Sequence, residues 1–76
     1  MAITPAAMQT ALGLNFGDPD LLRANEVQGS DATKQEWFVN GGTYAPGINM
    51  WVSTTASSNA ATQAAAVKAA LLAVLP

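Results

Sequence analysis

From Trp37 to the end of the 76-residue chain only Lys68 is charged; the other seven charges lie at or before Glu36. A freely soluble domain normally keeps a well-charged surface of mixed sign, and average usage is about 25% charged residues against 11% in this chain. A half-chain with one charge must either bury most of itself or hold its surfaces against something else. Length limits the first option, because a chain near this size buries only about 60% of the surface its unfolded form exposes. Small domains usually add disulfides, a metal or association. Cysteine and histidine are both absent, so disulfides are impossible and a soft-ligand zinc or copper site is not expected. An efficient helix–hairpin core and association with other chains remain as supports.

The neutral half opens with EWFVNGGTYAPGINMWVSTT, residues Glu36 to Thr55, which holds four of the five aromatic residues: Trp37, Phe38, Tyr44 and Trp51. Trp37, Phe38 and Val39 are good strand formers. Ile48 to Thr55 alternates, with Ile48, Met50, Val52 and Thr54 on one face and Asn49, Trp51, Ser53 and Thr55 on the other. Between the two runs, Ala45-Pro46-Gly47 places proline and glycine where a type II turn needs them. The segment 36–55 therefore reads as a β-hairpin. Gly41-Gly42 is either a bulge in the first strand or a competing turn.

Helices flank this hairpin. Thr4-Pro5 caps and opens a first helix over Pro5 to Leu12, with Met8, Ala11 and Leu12 on one face and Gly13 as the stop. Asp18-Pro19 repeats the device and predicts a second short helix over Pro19 to Val27, with Leu21, Leu22 and Val27 facing inward, broken at Gly29-Ser30-Asp31. Ser57, Ser58 and Asn59 precede an alanine-rich run that predicts a C-terminal helix over 58–75, with Ser58 as cap. Its wheel gathers Val67, Leu71, Leu72, Val74 and Leu75 on one face, with Lys68 inside that face and needing to snorkel or to find an acidic partner. Thr62 and Gln63 fall on the opposite, alanine side. The expected class is α+β, one small domain: a helical part over 1–30, the hairpin over 36–55 and the alanine-rich helix over 58–75.

Catalytic arrangements are scarce. Without histidine or cysteine, Ser-His-Asp and Cys-His arrangements cannot exist. Asp18, Asp20 and Glu26 fail the calcium-loop pattern, because Leu22 and Arg23 stand where oxygen ligands and a glycine belong; they read as a cap and solvent-facing charges, with Arg23. Neither Lys34 nor Lys68 has a serine positioned beside it, and the glycine turns lack the lysine of a phosphate loop. We expect no enzyme, no cofactor and no metal. A net charge of −2 with three scattered basic residues argues against nucleic-acid binding. The N-terminus lacks the basic region of a signal peptide, and Ala69 to Leu75 is far short of the roughly 20 residues a membrane span needs, so a soluble chain made in the cytoplasm is expected.

The aromatic hairpin admits three roles. Trp37 and Trp51 can pack together as core against the C-terminal helix. The stretch can also form a protein–protein hot spot, where Trp, Tyr and Met are enriched and charge is depleted. Apolar groups on both faces (Trp37, Val39, Ile48, Met50 and Val52 on one; Phe38 and Trp51 on the other) are more than one helix layer can cover. Stacking on a glycan or peptide, with Asn40, Thr43 and Asn49 nearby, is the third. Core or contact roles are expected for Trp37, Phe38, Tyr44, Met50, Trp51, Leu71 and Leu72.

GTYAPGINMWVSTT and SSNAATQAAAVKAALLAVLP resemble, in composition, small bacteriophage virion components such as head-decoration, connector or tail accessory proteins: short, cysteine-free, rich in Ala, Thr, Ser, Gly and Asn, and poor in lysine. The resemblance spans the whole chain, is compositional, and carries no residue over. It implies a non-enzymatic structural subunit whose partners are other protein subunits, either copies of itself or a capsid or tail protein, located in a virion or the cytoplasm. A stand-alone binding module gripping a peptide or glycan is the competing class. A membrane-active peptide is disfavoured by the lack of a basic helix face.

Overall fold

The computed structural model describes residues 3–18, 20–28 and 32–75. The element order is α1 (Pro5–Phe16), β1 (Arg23–Gln28), β2 (Lys34–Asn40), β3 (Asn49–Thr55) and α2 (Ala60–Val74). The strands form one antiparallel sheet in the order β1-β2-β3, and both helices lie against the face that carries Trp37. This is an α+β fold with a central hairpin and a C-terminal helix.

Thr4 caps α1 as expected: its extended backbone lets Oγ1 accept from the Ala7 N–H at 3.2 Å, and Pro5 occupies the first turn. The helix does not stop at Gly13. Gly13 is buried inside it, and the stop is Gly17, whose φ of +88° lets its N–H reach the Gly13 carbonyl at 2.6 Å. A glycine within a helix costs only about 1 kcal/mol relative to alanine; it ends a helix where the chain must turn left-handed.

The second short helix does not form. Asp18 starts a turn instead, its Oδ1 accepting from the Asp20 N–H at 2.9 Å and its carbonyl from the Leu21 N–H at 3.2 Å. The chain then runs as β1. Pairing with β2 explains the outcome, since β2 would otherwise leave a row of backbone groups unpaired. A bulge between Ala24 and Glu26 shifts the register. Ala24 lies opposite Val39 in the core, while Glu26 lies opposite Phe38 on the other face. Without the extra residue Glu26 would share the core face with Ala24. The expected hairpin of β2 and β3 is present, and β1 extends it to a three-stranded sheet. The expected positions of Pro19, Gly29, Ser30, Asp31 and Pro76 lie outside the described residues.

The turn between β2 and β3 resolves the two glycine signals. Ile48 N–H bonds the Ala45 carbonyl at 3.1 Å and Gly47 has φ +82°, which is a type II turn over Ala45–Ile48. Gly41 and Gly42 open a preceding turn closed by Ala45 N–H to the Gly41 carbonyl at 2.9 Å, so Gly41-Gly42 is not a bulge in β2. α2 is capped by Asn59, not Ser58: Asn59 Oδ1 accepts from the Thr62 N–H at 2.8 Å.

The core between sheet and helices contains Met8, Leu12, Leu22, Ala24, Trp37, Val39, Val52, Val67 and Leu71, together with Ala11, Ala45 and Ala64. Among the described residues, no helix is long and apolar enough to cross a membrane.

Candidate functional site: the open face of the sheet

The sheet has one covered and one open face, and strand alternation sorts the aromatic residues between them. In the β2–β3 register Trp37 lies opposite Val52, and Phe38 opposite Trp51. Trp37 is fully buried beneath α2, whereas Trp51, one residue out of phase, is 45% exposed. The expectation that the two tryptophans pack together is therefore corrected, because they point to opposite faces. The division of apolar side chains between two faces holds as read from the sequence.

Two bonds at the ends of the ladder fix which pairs bond. Gly41 N–H reaches the Ile48 carbonyl at 2.8 Å and Ala56 N–H the Thr33 carbonyl at 3.0 Å. Bonded and non-bonded pairs alternate between these ends, so Phe38 and Trp51 form a non-hydrogen-bonded pair, the kind whose side chains stand closest. Their rings are 5.3 Å apart, tilted by 53°. Around this pair the register places Glu26, Glu36, Asn40, Asn49 and Ser53. The charges that share the open face by register are Arg23 and Lys34 against Glu26 and Glu36, which cancel. The open face is thus a locally neutral platform with an aromatic pair at its centre.

The other expected site residues separate cleanly. Leu71 is fully buried, while Met50 is half-buried against the core. Tyr44 is half-buried in the β2–β3 loop, edge-on to Phe16 with centroids 4.6 Å apart. Leu72 is 46% exposed on α2, on the flank away from the core. Asp18 is half-buried, whereas Asp20, Arg23 and Glu26 are exposed. Asp20 and Arg23 form an ion pair at 3.6 Å, a surface contact of little energetic weight. Among the described residues, no three His, Cys, Asp or Glu side chains gather where they could hold a metal ion.

A buried polar cluster escaped the sequence reading. Gln63, assigned there to the alanine side of the last helix, is 1% exposed and points inward. Its Oε1 accepts from Trp37 Nε1 at 2.8 Å and lies 3.0 Å from Thr54 Oγ1. Its Nε2 donates to Gln35 Oε1 at 3.0 Å, and lies 3.2 Å from both the Thr55 and the Ser58 carbonyls. Gln35 Nε2 in turn donates to the Ile3 carbonyl at 3.0 Å. An indole nitrogen only donates, so the atom facing Trp37 must be the amide oxygen, and that fixes every other orientation in the chain of bonds. The signal was present: Gln63, Val67 and Leu71 fall at i, i+4, i+8, one stripe of a helix.

Lys68 was expected to snorkel or to find an acid. It finds a helix end instead, with Nζ 2.8 Å from the Asn15 carbonyl and 5.3 Å from the centre of the Phe16 ring.

No family model, curated protein or solved structure matches this chain.

Proposed function

We propose that the protein is a non-enzymatic structural subunit that works within a larger symmetric assembly, burying its open sheet face against other subunits, copies of itself first. The observation that carries this reading is Trp51, 45% exposed beside Phe38 on a sheet face that neither helix covers. An aromatic side chain left half in water at the centre of a neutral surface is the usual anchor of a protein contact. The second half, whose one charge Lys68 turns towards α1, supports the same reading, because the exposed flank of α2 with Leu72 and Val74 lacks charge. The compositional resemblance to phage virion components makes a virion the proposed assembly, with a decoration, connector or tail accessory role.

A second reading draws on the same tryptophan. Trp37 closes the core without help from a partner, and among the described residues no buried side-chain polar atom lacks a hydrogen bond. That is what a self-sufficient module needs, and Trp51 among Asn40, Asn49 and Ser53 could then stack on a peptide or glycan.

Tryptophan quenching joined to mass measurement separates the two. The purified chain is followed by light scattering while acrylamide quenches its emission. The subunit reading expects a defined oligomer in which neither tryptophan is quenched, and, on dilution to monomer, about half of the emission becoming quenchable as Trp51 emerges. A monomer at every concentration with Trp51 always open overturns self-assembly and favours the binding module.

A further inference from the structure

The two edges of the sheet are built differently. The β1 edge carries a bulge between Ala24 and Glu26, and the charges Arg23 and Glu26. These are the devices by which proteins blunt a strand edge. The β3 edge has none of them. Its sequence, NMWVSTT, contains no charge and no proline, and its register with β2 is unbroken over all 7 residues.

The alternation of the β2–β3 ladder says which backbone groups this edge offers. Met50, Val52 and Thr54 bond towards β2, so Asn49, Trp51, Ser53 and Thr55 turn their N–H and carbonyl groups outward. Thr55 is already engaged, its carbonyl accepting from the Ser58 N–H at 3.0 Å and standing 3.2 Å from Gln63 Nε2. Among the described residues, nothing bonds the outward groups of Asn49, Trp51 and Ser53.

We infer that this edge pairs with the β3 edge of a second copy, antiparallel, with Trp51 opposite Trp51 of the other copy. The inference deepens the reading of an assembling subunit and rests on it. Three observations select a second copy. The free stretch Asn49-Trp51-Ser53 is centred on Trp51, so a two-fold axis there matches each outward residue with another outward residue and leaves Thr55 outside the ladder. The strand is uncharged, so a copy of itself meets no repulsion. The bulged, charged β1 edge refuses a β3 strand, which rules out open-ended head-to-tail stacking and leaves the closed pair. The two-fold axis stands perpendicular to the sheet. All helices then lie on one side of a continuous sheet, and on the other side the aromatic pairs of both copies join into one strip with Trp51 at its middle. On the core side Met50 meets Val52 of the second copy.

The test uses the whole chain and two variants. Ser53→Pro removes an outward N–H that the monomer does not use, at an edge position where proline is tolerated. Phe38→Ser strips the aromatic pair from the open face and leaves the edge intact. Circular dichroism on each variant checks that the fold persists. Sedimentation of the wild type is expected to show a concentration-dependent dimer, and hydrogen exchange is expected to show Trp51 and Ser53 amides whose protection rises with concentration. Ser53→Pro is expected to weaken the dimer at least about tenfold. An oligomer lost in Phe38→Ser and kept in Ser53→Pro overturns the edge pairing and leaves the open-face reading standing. A monomer up to about 1 mM, where even small interfaces associate, overturns both. Edge amides that become protected only when a different protein's extended strand is added also overturn the pairing of copies. Should Ser53→Pro not fold, the exchange experiment on the wild type decides alone.

Discussion

The indole N–H of Trp37, on the central strand, donates to Gln63 Oε1 on α2 across 2.8 Å, in a site where both side chains are almost fully buried. This one bond joins helix to sheet, and Gln63 then continues it to Thr54 and Gln35. A buried amide is tolerable only because its partners are in place, and its partners depend on it equally. Replacing Gln63 by leucine keeps the volume roughly constant but orphans the Trp37 N–H and the Gln35 amide oxygen. Each of the two orphaned groups costs about 1–3 kcal/mol, so Gln63→Leu is expected to destabilise by about 2–6 kcal/mol and to lower Tm by at least about 8 °C. Urea unfolding checks this. A loss below about 0.5 kcal/mol would mean that water or rearrangement replaces the network.

Trp37 and Trp51 are chemically the same and should behave oppositely. Trp37→Ala removes the largest fully buried side chain and also the donor to Gln63; a cost of about 3–5 kcal/mol is expected, enough to leave a domain of this size largely unfolded. Trp51→Ser trims an exposed ring from the open face and is expected to change monomer stability by less than about 1 kcal/mol. Its effect should appear in the mass of the particle in solution. Comparable destabilisation in the two variants would contradict the assignment of faces.

The α1 terminus supplies a third measurement. The last carbonyls of a helix carry partial negative charge, and Lys68 places a cation on the Asn15 carbonyl while its ammonium stands over the Phe16 ring. Lys68→Met keeps the stem and loses the charge. A cost of about 0.5–2 kcal/mol is expected. A double-mutant cycle with Phe16→Leu should return a coupling of about 0.5–1 kcal/mol, measured by thermal unfolding in low salt. Zero coupling would reduce Lys68 to a carbonyl donor.

These residues show which parts of the structure were legible from the sequence. Thr4-Pro5 was, because cap and proline act within one turn. The Ala45-Pro46-Gly47 turn was, because its residues meet the type II geometry by themselves. The two faces of the hairpin were, because a period of two needs no partner to be seen. β1 was not. The inward residues Leu22, just before the strand, and Ala24 within it are two apart, but the bulge breaks the alternation before Val27, so neither strand nor helix period stands out, and the sequence pair Asp18-Pro19 imitates a helix start. Its strand character comes from β2, which lies later in the chain. The division between core and contact was hidden for the same reason: Trp37 and Trp51 are told apart only by which face the helices choose. Gln63 was misplaced because a polar residue on a helix is read as solvent-facing until its partners are known.

Gly42 and Gly47 give the last prediction, since both have positive φ, +59° and +82°, but different surroundings. A side chain in the left-handed region costs roughly 1–2 kcal/mol. At Gly47 nothing stands within 4 Å of an added Cβ, so Gly47→Ala should cost that backbone term alone. At Gly42 the Cβ would overlap the backbone carbonyl of Leu21, in the turn that leads into β1. Backbone cannot step aside as a side-chain tip can, so the turn before β1 must shift. Gly42→Ala is therefore expected to cost at least about 1 kcal/mol more than Gly47→Ala, and to raise hydrogen exchange in β1 more than in β3. Equal costs, or exchange raised equally in both strands, would show that the β2–β3 loop does not brace the entry to β1.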